Sequence, residues 1–179
     1  MITTRVTVEI ARPVAEVFAY VTTPANFPRW AGTLVVASRQ TSPGPVGVGT
    51  TFTQQNKLLG RRFTSALRVV TYEPGRRFEY ETTAGPIRFA GHYTFAPVAG
   101  GTRFTSVDES TPGGWLRVLQ PLLQPIAQRQ ITRNLTLLKR ILETRGRRAS
   151  PPGPLPAPGR GRLGRCGLHG AGGLGPARG

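Results

Sequence analysis

Cysteine is almost missing from this chain of 179 residues: Cys166 stands alone. One cysteine excludes an intrachain disulfide and a thiolate-bound metal cluster. It suits a reducing compartment, and the cytoplasm is the expected location. Histidine is nearly as scarce, with only His92 and His169. No acid pair clusters beside either, so no metal site and no cofactor are expected. A Ser/His/Asp set at the spacing of a known hydrolase family is missing too. No apolar run approaches the roughly 18 residues that a transmembrane helix needs. Met1 to Val6 alternate in the manner of a strand. They show no basic stretch followed by an apolar one, so no signal peptide is expected.

Acids are few, 8 against 24 lysines and arginines, and the last of them is Glu143. Residues 145–179 hold no acid, lysine, isoleucine, valine or aromatic side chain, but 11 of the 23 glycines. Such a stretch buries too little apolar surface to offset the entropy of ordering it. The expected organisation is one domain over 1–144 and a disordered Arg/Gly/Pro-rich tail over 145–179. About 144 residues is an ordinary size for a single domain. The formal charge of +16 divides with it: 17 basic and 8 acidic residues leave +9 on 1–144, and seven arginines put +7 on the tail. A flexible basic arm and read-through of a GC-rich frame both produce this tail composition.

A basic balance raises nucleic acid and anionic membranes as partners. Within 1–144 the arginines stand singly, and no motif of the known nucleic-acid readers is present. No specific nucleic acid is therefore expected. Weak contact of an anionic membrane with the last helix and the tail stays open.

Val6, Val8 and Ile10 alternate with Arg5, Thr7 and Glu9, the pattern of a half-buried strand over 3–11. Pro13 suits the first turn of a helix, and Val14, Val17, Phe18 and Val21 follow at helical spacing. A second short helix, Pro24 to Trp30, ends at Gly32. Strand-like runs then cover about 34–37, 50–59, 62–73, 77–83, 86–96 and 102–110. Short Gly- and Pro-containing separators between them predict an antiparallel meander. Gly113-Gly114 ends the sheet. From Trp115 to Leu142, Leu116, Leu119, Leu123, Ile126, Leu135, Leu138 and Leu142 make one stripe. Pro121 and Pro125 fall inside it and predict a kinked or two-part helix.

This order predicts an α+β fold: a curved seven-stranded antiparallel sheet wrapped around a long C-terminal helix, with two short helices between the first two strands. At this point the chain resembles a family. Val8-Glu9-Ile10-Ala11-Arg12-Pro13-Val14-Ala15-Glu16-Val17-Phe18, Pro24-Ala25-Asn26-Phe27-Pro28-Arg29-Trp30, Gly91-His92-Tyr93-Thr94-Phe95-Ala96-Pro97 with Gly100-Gly101-Thr102-Arg103, and the Arg/Leu-rich last helix carry the likeness. Together they span 3–143. They resemble the polyketide cyclase/dehydrase members of the START-like superfamily, also called SRPBCC proteins, which share the helix-grip fold of the birch-pollen allergen. The resemblance implies a cavity between sheet and helix. Its implication for function is broad, because the family covers lipid carriers, aromatase/cyclases, receptors, stress proteins and oxygenase domains.

Period two assigns one face of each strand to that space. It holds Phe52, Gln54, Asn56 and Leu58; Phe63, Ser65, Leu67 and Val69; Phe78, Tyr80 and Thr82; Ile87, Phe89, Gly91, Tyr93 and Phe95; Phe104, Ser106 and Asp108. The opposite face carries Arg77, Glu79, Glu81, Arg88, His92, Thr94, Arg103 and Thr105, and is expected to meet water. Large apolar side chains with a few polar groups suit a packed core and a ligand pocket alike. Gln54, Asn56, Tyr80 and Asp108 argue for the pocket, since a dry core would leave them without partners. The ligand-binding candidates are Trp30, Phe52, Gln54, Asn56, Phe78, Tyr80, Phe89, Tyr93, Phe104, Ser106 and Asp108.

Asp108 is the single acid of its face and the first candidate for a general base, with Tyr80 and Tyr93 beside it. A strand end near solvent explains Asp108 as well. His92 is expected to be solvated, and Trp30 to close one end of the core. Gly170 to Gly175 matches a dinucleotide fingerprint, but no strand precedes it and no helix follows. Asn134-Leu135-Thr136 matches a glycosylation acceptor, yet lies on the predicted helix. The expected function is binding of a hydrophobic small molecule, a lipid, isoprenoid or polyketide-like compound, by a monomer or homodimer. The alternative is a cyclase, aromatase or dehydratase acting on a poly-ketone chain in the same cavity.

Overall fold

Alternation at the N-terminus builds β1 (Ile2–Ile10), which buries Ile2, Thr4 and Ile10 and turns Thr3, Arg5, Thr7 and Glu9 to water. The computed structural model describes residues 1–58, 60–111 and 120–149. After Pro13 come α1 (Val14–Thr22), a 3-10 turn (Pro24–Asn26) and α2 (Phe27–Trp30). They are followed by β2 (Val35–Gln40), β3 (Thr51–Leu58), β4 (Arg61–Glu73), β5 (Arg77–Ala84), β6 (Arg88–Val98), β7 (Gly101–Thr111) and α3 (Gln120–Ala149). The seven strands form one antiparallel sheet in the order β1-β7-β6-β5-β4-β3-β2. Register shifts at Val35/Ala37, Ala66/Leu67 and Val69/Thr71 mark bulges. Bulges bend and twist their strands, which helps curl the sheet around α3. The architecture is the α+β helix-grip.

One end of the grip is solid. Val17, Phe18 and Val21 of α1 are buried there with Leu135, Leu138 and Leu142 of α3. Phe18 meets Tyr72 at 5.2 Å and Phe95 at 5.0 Å, ring centre to ring centre, and Phe95 lies 5.0 Å from Phe104.

Along its length α3 is strapped to the edge strand β1. Gln124 Nε2 donates to the Thr3 carbonyl (2.6 Å), Gln128 Nε2 to that of Arg5 (2.9 Å) and Lys139 Nζ to that of Glu9 (2.6 Å). These bonds cover carbonyls that an open edge would offer to another chain.

Two elements differ from the sequence expectation. β2 starts at Val35 and runs to Gln40 rather than ending at 37, because Ser38, Arg39 and Gln40 pair with Gln54, Thr53 and Phe52. α3 is one helix instead of two parts. Pro121 is its second residue, where an N–H has no helical partner in any case, and Pro125 removes only one bond. The helix continues past Leu142 to Ala149. Arg145 lies over the Tyr20 ring, 4.9 Å from its centre, and the bare Cα of Gly146 faces the Arg12 guanidinium. The expected helix start at Trp115, with Leu116 and Leu119, and the Gly113-Gly114 stop lie outside the described residues.

Candidate functional site

Toward its N-terminus α3 stands away from the sheet. Leu123 is half-buried and Ile126 is 56% exposed, whereas Leu138 and Leu142 are fully buried. The gap is a cavity of about 170 Å³ between α3, α2 and the concave face of the sheet. A single water needs roughly 10–15 Å³ of such space, so a small organic molecule has room.

Trp30, Gln54, Asn56, Tyr80, Phe89, Tyr93, Ser106 and Asp108 line it, as expected from their alternation. Phe52, Phe78 and Phe104 do not. They are fully buried behind the cavity floor, with Phe52 5.9 Å from Phe27, Phe78 6.1 Å from Tyr93 and Phe104 5.5 Å from Tyr93. Period two fixes the face of a strand but not the position along it. All three lie near the strand ends packed toward α1, where the grip is solid.

Four polar residues form a chain on one wall. Tyr80 and Tyr93 hydroxyls are 2.9 Å apart, and Tyr93 donates to Asp108 Oδ1 at 3.3 Å. Ser106 Oγ donates to Asp108 Oδ2. Since Tyr93 directs its proton at Asp108, Tyr80 donates to Tyr93. Burial raises the Asp108 carboxyl to about 6, against the opposing effects of Ser106, Tyr93 and the charge of His92. Burial, reinforced by Asp108, also pushes both tyrosine hydroxyls far above their usual range. Gly91 makes the chain possible. It pairs with Tyr80 across β5 and β6, and any Cβ on it would overlap the Tyr80 ring.

The polar residues that sequence reasoning left without partners mostly find them inside the protein. Asn56 Nδ2 donates to Ser65 Oγ at 3.4 Å, and Tyr80 and Asp108 belong to the chain above. Gln54 does not: its Nε2 is buried with no hydrogen-bond partner. Two further cavity-lining N–H groups share that condition, Trp30 Nε1 and Asn134 Nδ2. The other end of the Asn134 amide is occupied, its Oδ1 accepting from Thr33 Oγ1 at 2.7 Å. The three side chains are 2%, 5% and 2% exposed at Trp30, Gln54 and Asn134. Asn134 escaped the sequence reading, although Ile131, Asn134, Leu135 and Leu138 share the helical spacing of the buried stripe. A polar residue at a stripe position was the available signal.

On the convex face Glu79 departs from expectation: it is buried instead of solvated. Thr71 Oγ1 (2.7 Å), Arg77 Nε (2.9 Å) and His92 Nδ1 (3.1 Å) surround its carboxylate. Burial works to raise its pKa, but hydrogen bonds from Thr71, His92 and Arg77 outweigh it and leave the group below its usual value. His92 therefore belongs to a surface ion cluster and not to the cavity. Among the described residues no group of three His, Cys, Asp or Glu side chains could hold a metal. No helix among them is long and apolar enough to cross a membrane.

Residues 1–143 match the family model described as polyketide cyclase / dehydrase and lipid transport. The chain belongs to this family. A search of curated proteins finds no match. Solved structures share the fold at low identity. TTHA0849 from Thermus thermophilus is 16% identical with a TM-score of 0.68, over 80% of this chain and 98% of that one. DR_A0006 from Deinococcus radiodurans is also 16% identical, with a TM-score of 0.63 over 80% and 98%. StfQ, a di-domain ARO/CYC from the steffimycin biosynthetic pathway, is 17% identical with a TM-score of 0.62 over 81% of this chain and 51% of StfQ. The helix-grip of the family is thus common ground, and the reading of function rests on the polar groups that line the cavity.

Proposed function

We propose that the domain binds a neutral, apolar small molecule with oxygen acceptors, a lipid, isoprenoid or polyketide-like compound, in the cavity under α3. One observation carries the reading: Trp30 Nε1, Gln54 Nε2 and Asn134 Nδ2 line one apolar cavity without partners. A buried unsatisfied donor costs about 1–3 kcal/mol, and a carbonyl or ether oxygen on the ligand relieves that cost. A pure hydrocarbon does not. A carboxylate ligand is disfavoured near neutral pH by Asp108, which is ionised above about 6.

The test is a fluorescence titration of the full chain with 1,8-dihydroxyanthraquinone as the oxygenated probe and anthracene as its hydrocarbon match. The quinone should bind at least about ten-fold tighter, and Gln54→Leu and Asn134→Leu should each weaken it about five- to ten-fold, the worth of one hydrogen bond. Equal binding of the two probes, unchanged by either substitution, refutes the reading.

The Tyr80–Tyr93–Asp108 chain supports a second reading, an enzyme of the cyclase type. A carboxyl near pH 6 can take a proton from carbon beside a ketone at neutral pH. The enolate carbon would attack a second carbonyl of the same chain, and the alkoxide formed would recover the proton from Asp108. N–H donors on the opposite wall would hold the developing oxyanion. StfQ, an ARO/CYC protein, lends this reading its chemistry. Retained binding with lost turnover in Asp108→Asn would distinguish it from simple carriage.

A further inference from the structure

The open end of the grip gathers positive charge and exposed aliphatic side chains. β3 ends at Leu58 and β4 begins at Arg61, with Lys57 opposite Arg62. Arg88 stands at the start of β6, opposite Thr111 at the end of β7. Phe63 and Phe89 stack at 6.2 Å across the concave face and tie these strand ends to one mouth. Lys57, Arg61, Arg62 and Arg88 are exposed, and none has an ion pair among the described residues. Elsewhere the cations are held differently: Arg12, Arg68, Arg77, Arg103 and Lys139 each meet a glutamate.

α3 brings Leu122 and Ile126 to the same end, because Gln124 is bonded to Thr3 at the start of β1. These side chains are 66% and 56% exposed. Leu122 is no part of the cavity lining, so the ligand does not explain it. Unpaired cations beside exposed aliphatics match the two layers of a bilayer surface, anionic headgroups above acyl chains. Nucleic acid offers the charge without the apolar layer.

We propose that this rim docks on an anionic lipid surface. Lys57, Arg61, Arg62 and Arg88 contact headgroup phosphates while Leu122 and Ile126 enter the acyl boundary. The mouth then faces the membrane, and an apolar ligand passes between bilayer and cavity without crossing water. Docking does not depend on the ligand's identity: flotation reads the rim and titration reads the cavity, so each can fail alone.

The experiment is flotation of the full chain with phosphatidylcholine vesicles, with and without phosphatidylglycerol, at physiological salt. The tail's seven arginines also attract anionic lipid, so variants of equal charge change are compared. Arg61→Gln with Arg62→Gln alters the mouth; Arg39→Gln with Arg76→Gln alters exposed positions away from it. A surface cation contributes about 1 kcal/mol, about five-fold, so the mouth pair should lose about 25-fold in partitioning. The control pair should stay within about two-fold, because the field fades within a Debye length of about 8 Å. Leu122→Ser, at an exposed site, should cost several-fold more on anionic vesicles. Equal losses in both pairs, absence of flotation, or an unchanged Leu122→Ser variant overturns the proposal.

Discussion

Asp108 faces a wall of aromatic rings, and its carboxyl is held near pH 6 by burial. In the unfolded chain it titrates near 3.9. Between these values the native state keeps a proton that the unfolded state has released. Stability from this group is therefore complete below about pH 4 and falls as pH rises through 6, by up to about 3 kcal/mol. Urea unfolding of wild type and Asp108→Asn between pH 4 and 7 should show that slope in the first and not in the second. The same slope in both would mean that the carboxyl titrates like an exposed one. Asp108 was legible in the sequence as the one acid on an inward face, and alternation also placed Tyr93 and Ser106 beside it. The donor wall was less legible. Whether Trp30, Gln54 and Asn134 find partners depends on which side chains the fold brings within reach, and no local pattern records that.

At the scale of elements, α3 reads as one apolar stripe but behaves as two halves. Leu135, Leu138 and Leu142 lie on solid core, while Leu122 and Ile126 are exposed where the helix leaves the sheet. Leu138→Ala should destabilise by about 2–5 kcal/mol, and Leu122→Ala by less than about 0.5 kcal/mol. Denaturant midpoints measure both; similar losses would contradict a cavity under this half of the helix. Helical spacing does not separate the halves, because the distance from helix to sheet is set by the sheet's curl and its bulges. The same limit explains Phe52, Phe78 and Phe104. Alternation turned them inward correctly, and their depth along the strands made them floor instead of lining. Strand order and antiparallel pairing, in contrast, followed from short turns alone.

For the whole molecule, charge and cavity point to one end. The closed end pairs its cations with glutamates and packs aromatic rings; the open end leaves cations and aliphatics free around the mouth. Family membership agrees with the fold and leaves the occupant of the cavity to be decided by the groups lining it. The most direct measurement is native mass spectrometry of the full chain purified from its own host, followed by denaturing extraction. The account predicts a stoichiometric neutral adduct, lost on denaturation, that contains carbonyl or ether oxygen. A chain of bare mass, or one carrying an oxygen-free hydrocarbon, would contradict it.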